Sequence, residues 1–188
     1  MVDLAFFDTP ERTEYSDEIY AVIGRALTVA THYETNCKAL ANTMNIRENV
    51  ELMEDSERFQ GMLEKLAKWQ LKRSIDKFTS TIRTGLQNQG LSDELVKAFE
   101  ETIFKWLEEG RTSRNFIIHE LTLGIAYSAE TNEFREKTVP VIKEHIEKVA
   151  KADFYIASFI ERCVNKMNIS PGLEDYINRV VNWVCKIS

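Results

Sequence analysis

Residues that turn or cross-link a chain are scarce in this sequence. Its 188 residues include only seven glycines and three prolines, whereas an all-β fold needs many tight turns built from such residues. The shortage favours long helices and predicts an all-α fold. The three cysteines, Cys37, Cys163 and Cys185, are odd in number, far apart and without C-x-x-C spacing. Neither a disulfide framework nor a zinc site is indicated, and we interpret them as small core residues.

Long apolar runs are also lacking. Nowhere do about 18 consecutive apolar residues occur, the length that a membrane-spanning helix needs. The N-terminus, "MVDLAFFDTP", lacks the basic start and apolar stretch of a signal peptide. We therefore expect a cytoplasmic protein with no membrane partner. The chain is long enough to build one hydrophobic core, which predicts a single domain over residues 1–188.

Positive charge is in deficit overall but concentrated locally. The formal net charge of -6 argues against a protein that coats nucleic acid through bulk electrostatics. From Glu64 to Arg83, however, six basic residues stand against two acidic ones. Such a surface can meet phosphates or can simply be solvated. Its candidate substrate-binding residues are Lys65, Lys68, Lys72 and Arg73.

Apolar residues recur at three- and four-residue steps along most of the chain, which is the spacing of one helix face. The pattern predicts a single bundle of about five to six helices. Residues 124–140 lose this period, which predicts a loop or a short hairpin there. The expected segments are a helix from about Glu11 or Ser16 to Met44, a second segment opened by the capping-box spacing of "NIRE" at 45–48, a helical stretch 57–86 with a break near Ser74, a helix 93–109 capped by Ser92 and ending or bending at Gly110, a helix 141–167, and a restart at Ser170 and Pro171.

The stretch 111–120, "RTSRNFIIHE", puts several polar side chains into an apolar neighbourhood. On an α-helix, Arg111, Asn115 and His119 form one polar stripe, because residues four apart nearly overlie one another. Arg114 lies instead on the side of Ile117. A buried guanidinium without a partner costs several kcal/mol, so Arg114 must pair with an acid, reach solvent or face a cleft.

Residues 114–119, Arg-Asn-Phe-Ile-Ile-His, resemble the R-x4-6-H signature of HEPN domains, including the polar residue that commonly follows the arginine. As in that family, the motif comes late in a predicted helical bundle. The resemblance implies a metal-independent endoribonuclease without a cofactor, in which two copies of the motif line one composite cleft of a homodimer. It further implies RNA as the substrate, a role as a toxin or defence effector, and an antitoxin or other regulatory protein as a partner.

The side chains suit the chemistry that the resemblance implies. His119, with a usual histidine pKa near 6.5, is suited to act as acid or base at neutral pH. Arg114 would hold the phosphate bidentately, and Asn115, one turn before His119, would orient the imidazole or the phosphate. Arg111 would be an auxiliary phosphate contact. Because the nucleophile is the 2′-OH of the substrate, no metal is needed and DNA should resist cleavage.

The chain departs from one branch of the family, and other functions stay open. In the branch paired with a nucleotidyltransferase antitoxin the motif resembles R-x4-H-x-Tyr, but here Glu120 and Leu121 follow the histidine, so the tyrosine that such a partner would modify is missing. One alternative is a non-catalytic HEPN-like module that binds a nucleotide or a protein partner. Another is a structural helical adaptor with core or interface tryptophans: Trp69, Trp106 and Trp183.

Overall fold

The computed structural model describes residues 14–121, 134–163 and 172–186, which consist of helices and short connections between them. The predicted all-α helical bundle is therefore confirmed. Six α-helices and three short turns follow one another as α1 (Glu14–Glu48), a 3-10 turn (Val50–Glu54), α2 (Ser56–Ala67), α3 (Leu71–Asn88), α4 (Asp93–Asn115), a π turn (Phe116–Glu120), a second π turn (Phe134–Thr138), α5 (Val139–Cys163) and α6 (Leu173–Val184).

Four of the helices surround the main core. Helix α1 packs against α3 and α5, and α4 packs against the same two helices from the other side, while α6 covers α5 and part of α1. Helices α4 and α5 run antiparallel, because Trp106 lies against Tyr155 and Phe116 lies against His145. The largest fully buried side chains come from all these helices and include Tyr33, Ile75, Leu107, Ile146 and Val184.

The turn between α3 and α4 is built around Gly90 and Ser92. Gly90 has a φ of 77°, a left-handed conformation that glycine adopts without steric cost. Its N–H donates to Gln87 O, and Leu91 N–H donates to Leu86 O, which is the Schellman arrangement of a helix C-terminus. The Ser92 hydroxyl then accepts from Leu95 N–H at 3.4 Å, so the predicted cap at Ser92 is confirmed.

The first predicted helix boundary is wrong. Helix α1 continues through "NIRE" to Glu48 instead of ending at Met44. Asn45 does not cap a new helix, because its side-chain N–H donates back to Ala41 O within α1. Glu48 is engaged by Lys77 and Thr81 of α3. These contacts with a distant helix favour one more turn of α1.

The second predicted break lies several residues too late. The chain leaves the helix at 68–70, not near Ser74, which is buried inside α3. Leu71, Ile75 and Phe78 are buried at helical spacing, so nothing interrupts that face. Leu66 is also buried but lies five residues before Leu71, and residues five apart cannot share one face of a continuous α-helix. The change of phase accounts for the break between α2 and α3.

Part of the loop predicted over residues 124–140 is helical. The centre of the predicted hairpin, around residues 131 and 132, lies outside the described residues, as do the cap predicted at Ser170 and the first-turn proline predicted at Pro171. Residues 134–140, the end of the predicted loop, are helical. Pro140 is the second residue of α5, which follows the second π turn without a gap.

Helices α4 and α5 approach each other closely at Gly110, which lies inside α4 and does not end it. A Cβ added to Gly110 would come within 2.5 Å of the Ala152 Cβ and 3.2 Å of the Tyr33 ring. The Tyr33 hydroxyl crosses the same space and donates to Leu107 O at 2.9 Å. Glycine is required at this position because a side chain would not fit. Its backbone φ lies outside the left-handed region, so conformation does not require glycine.

Replacing Gly110 with alanine is expected to destabilise the bundle. The added methyl must displace Ala152 or Tyr33, so we expect the free energy of unfolding to fall by about 1–3 kcal/mol despite the better helix propensity of alanine. Gly85→Ala in α3 is the matched control, since a Cβ there meets nothing within 4 Å and should raise stability by up to about 1 kcal/mol. Urea unfolding measures both, and equal stabilisation by the two substitutions would contradict the close approach.

Candidate functional site around Arg114 and His119

Arg114 is clamped inside the bundle by side chains from two helices. Its Nη2 pairs with Glu34 Oε2 on α1, and its Nη1 donates to Asn115 Oδ1 at 3.0 Å. The Arg114 side chain is only 17% exposed. Its Nε is buried and has no hydrogen-bond partner among the described residues. An unpaired buried donor costs free energy, and a role in catalysis or ligand binding is one of the reasons for which a structure retains it.

Glu34 holds a second cation as well. Lys38 Nζ lies 2.6 Å from Glu34 Oε1, so one carboxylate is shared between a lysine and an arginine. Burial by itself would raise the pKa of Glu34, but the hydrogen bond from Lys38 and the charge of Arg114 outweigh it and lower the pKa. Glu34 is therefore ionised at neutral pH. The group of Glu34, Lys38 and Arg114, here called the Glu34 cluster, keeps one net positive charge.

A π turn follows directly after the clamp. The N–H of Leu121 donates to Phe116 O, an i to i+5 bond that makes this turn wider than an α-helical one. Because a wider turn needs more residues per revolution, His119 is rotated towards the side of Arg114 compared with its place on an ideal α-helix. Isolated π turns occur frequently at functional sites. The polar stripe of Arg111, Asn115 and His119 assumes an ideal α-helix, and the π turn departs from that geometry.

Exposure to solvent changes along the motif. Ile117 is fully buried, whereas His119 is exposed. The imidazole of His119 makes no hydrogen bond or ion pair with any residue in the described ranges. A solvent-accessible imidazole thus follows a mostly buried arginine, and the structure does not bring the two side chains into direct contact.

His145 of α5 supports the π turn from outside. Its ring stacks on Phe116 with centroids 4.0 Å apart and planes inclined by 15°. Burial, reinforced by the charge of Lys148, lowers the pKa of His145 against the opposing effect of Glu144 and Glu120. The neutral imidazole is therefore the form that fits this contact.

Arg111 lies apart from the clamp, in an ion pair of its own. Its Nη2 is 2.7 Å from Glu108 Oε2 and its Nε donates to the same oxygen at 2.9 Å. The hydrogen bond to Glu108 raises the pKa of Arg111, and Asp76 of α3 contributes in the same direction. The guanidinium that was expected to contact phosphate is occupied by a neighbouring carboxylate.

The predicted basic surface lies where α2 gives way to α3. Lys65 belongs to the last turn of α2, Lys68 to the connection, and Lys72 and Arg73 to the first turn of α3; all four side chains are exposed. Asp76, one turn further along α3, is near enough to influence Arg111. The basic surface and the motif therefore approach the same region of the bundle, where α3 begins and α4 ends.

Sequence reasoning missed Glu34 and Lys38. Their i, i+4 spacing is that of an ordinary surface ion pair, so nothing local distinguishes them from the exposed pair of Lys97 and Glu101. Only the packing of α1 beside the end of α4 brings them to Arg114.

A separate buried polar group lies between α1, α5 and α6. Asp153, 2% exposed, accepts from Asn36 Nδ2 at 2.9 Å and from the Tyr176 hydroxyl at 2.5 Å. His32 Nδ1 lies 3.5 Å from the same carboxylate. These donors satisfy a buried charge, as buried carboxylates require, and we assign this group to the structural core.

Comparison with models of known protein families, with curated proteins and with solved structures gives no match for this chain. Among residues 14–121, 134–163 and 172–186, no group of three or more His, Cys, Asp or Glu side chains has the arrangement of a metal site. Within the same ranges, no helix combines the length and apolarity needed to cross a membrane. The functional assignment therefore depends on the geometry of the site itself.

Glu34→Gln is expected to weaken the clamp in a pH-dependent manner. It leaves the partly buried Arg114 without its counter-charge, which should lower the free energy of unfolding by about 1–3 kcal/mol near pH 7. The folded-state pKa of Glu34 is lowered, so its contribution is present above the unfolded pKa of about 4.3 and is lost as pH falls through the folded value. The stability gap between wild type and variant should therefore shrink in acid. Glu101→Gln, at an exposed pair, is the control and should change stability by less than about 0.5 kcal/mol.

His145→Phe is expected to remove one step from the pH dependence of stability while keeping a ring on Phe116. Since the folded-state pKa of His145 is lowered, wild type should lose stability as pH falls below the unfolded histidine pKa of about 6.5. The phenylalanine variant lacks this loss. Urea midpoints between pH 7 and pH 5 test the difference, and parallel curves for the two proteins would contradict it.

Proposed function

We propose that the chain is a metal-independent endoribonuclease in which Arg114, Asn115 and His119 form the reacting site. The observation that supports this best is the order of groups along the motif. A fixed guanidinium and its amide neighbour are followed, one widened turn later, by a solvent-accessible imidazole. This arrangement supplies one charged group for a phosphate and one proton-transfer group, and all of it comes from a single short segment.

In the proposed reaction, the 2′-oxygen of a ribose attacks the adjacent phosphorus while its proton passes to an imidazole. The bond from phosphorus to the 5′-oxygen breaks, and the leaving oxygen takes a proton. The products are a 2′,3′-cyclic phosphate and a 5′-hydroxyl, and no water is consumed. The guanidinium of Arg114 would stabilise the added negative charge of the pentacovalent phosphorus, assisted by the net positive charge of the Glu34 cluster.

A homodimer forms part of this proposal. One exposed His119 can accept the proton of the 2′-hydroxyl, but the leaving oxygen needs a donor at the same moment. A second copy of the motif would supply a second imidazole and would cover the first, which strengthens electrostatic stabilisation by excluding water. A cytoplasmic toxin or defence effector, restrained by an antitoxin or other regulatory protein, is the setting that we propose for this activity.

A second function is favoured by one specific observation. Arg114 is largely buried and paired with Glu34 inside one chain, as expected of a residue that holds helices together. On that basis the chain would be a non-catalytic module that binds a nucleotide or a protein partner, with Arg114 in a packing role and His119 at its surface.

Cleavage of labelled single-stranded RNA, with EDTA present and with the matching DNA as a second substrate, tests the proposal. Wild type should cut RNA only and leave 2′,3′-cyclic phosphate ends. His119→Ala should lower the cleavage rate roughly 10²–10⁴-fold through loss of proton transfer. Arg114→Ala should lower it roughly 10²–10³-fold. His32→Ala and Arg83→Ala are matched controls, because both side chains are exposed and lie outside the motif; since His32 also contacts Asp153, its variant is checked for folding in the same way.

Circular dichroism must show that each variant is folded, because Arg114 also stabilises the bundle. Arg114→Lys helps here, since it keeps the charge beside Glu34 but loses the bidentate geometry. A folded Arg114→Lys protein with full activity would contradict the proposed role of the guanidinium. RNA left intact by folded wild type and variants alike would favour the binding module.

A further inference from the structure

A groove of about 450 Å³ lies between the C-terminal half of α1 and α2, next to the start of α3. Its floor is apolar, with Leu52, Met62 and the buried Leu66 among its lining residues. The side chains of Trp69 and Arg73 border it where α2 passes into α3. The groove is separate from the Glu34 cluster, since no member of that cluster lines it.

Among the described residues, the charged ones that line this groove are all basic. Arg58, Lys65 and Arg73 line it, and no carboxylate from the described part of the chain does, although the chain as a whole carries a net charge of -6. Asp55 pairs with Arg58 Nε at 3.2 Å but does not line the groove. An anionic ligand is the one that such a rim attracts.

A flat stacking platform stands beside these charges. The guanidinium of Arg73 lies over the Trp69 ring, 4.3 Å from its centre. Aromatic rings and guanidinium planes are the surfaces on which proteins stack unpaired nucleobases. Acidic side chains of a peptide would use the cations, but they carry no ring that could stack on this platform.

Two amide side chains complete the lining. Asn45 and Asn49 each donate a side-chain N–H to a carbonyl of α1, at 2.8 and 2.7 Å. These bonds hold both side chains in place and use one N–H of each amide. The remaining amide groups have the donor and acceptor types that read the edge of a base.

We infer that this groove binds a nucleotide of single-stranded RNA, with its base stacked on the Trp69–Arg73 platform and its phosphates beside Lys65 and Arg58. This inference rests on the proposed function, and it defines the substrate class as unpaired RNA. In a duplex the base faces are already stacked and cannot reach the platform. Asp76, near Arg111, lies one turn beyond Arg73, so a strand held in the groove can continue towards the motif.

Fluorescence anisotropy with a short labelled oligoadenylate tests the inference, in a His119→Ala background so that the RNA is not consumed. Arg73→Ala and Trp69→Ala should each weaken binding by roughly 5- to 150-fold, the range for loss of one base-stacking contact. Lys65→Gln should reduce the slope of log affinity against log salt by about 0.7. Trp183→Ala and Lys105→Gln are matched controls, since both side chains are exposed and neither lines the groove.

The variants separate this inference from the proposed function. If RNA binds tightly to wild type, binds weakly to Arg73→Ala and is never cut, the groove is an RNA-binding site and the ribonuclease assignment is wrong. If wild type cuts RNA and Arg73→Ala binds RNA as tightly as wild type, the groove is not the RNA-binding site but the ribonuclease assignment stands. If Trp69→Ala does not fold, Trp69→Phe replaces it; this variant keeps a stacking ring and should bind RNA like wild type. The Arg73→Ala variant, at an exposed side chain, then decides whether the groove binds RNA. Equal binding of a polyglutamate peptide, or of the same RNA in a duplex, would overturn the assignment to unpaired RNA.

Discussion

The close approach of α4 to α5 at Gly110 is the constraint on which the site depends. With no side chain at this position, the methyl of Ala152 and the ring of Tyr33 fill the space against the α4 backbone. The Tyr33 hydroxyl then ties α1 to the Leu107 carbonyl. Since Glu34 follows Tyr33 and Arg114 lies one turn after Gly110, the packing that joins these helices also sets the distance between the carboxylate and the guanidinium.

The Glu34 cluster joins stability to the chemistry that we propose. A guanidinium at 17% exposure needs a counter-charge, because an unpaired buried cation costs several kcal/mol. One carboxylate between two cations satisfies that need and still leaves a positive balance. A phosphate that approaches this cluster would meet an arginine already fixed in orientation, so less conformational entropy would be lost on binding. The same pairing reduces the attraction of Arg114 for an anion, which is why the packing role competes with the catalytic one.

Local sequence signals were accurate where local chemistry decides the outcome. Gly90 and Ser92 form their turn with hydrogen bonds between near neighbours, and their pattern can be recognised in any chain. The same signals were misleading where a distant helix contributes. "NIRE" has the spacing of a capping box, yet Lys77 and Thr81 engage Glu48 and the helix continues. Glycine often ends helices, but Gly110 lies in the middle of α4. It is needed there because Ala152 of α5 and Tyr33 of α1 occupy the space of a side chain.

The sequence by itself determined that the chain is helical, which faces of its helices are buried, and which short segment carries an arginine, an amide and a histidine together. These properties depend on spacing along the chain, and the 3.6-residue period converts spacing directly into a helix face. Only the tertiary structure decided that Arg114 is clamped by Glu34, that His119 is exposed beyond a π turn, and that Trp69 and Arg73 border a cationic groove. Such contacts join residues far apart in sequence. They are set by how closely the helices pack and which faces meet, and a periodic pattern along one helix does not carry that information.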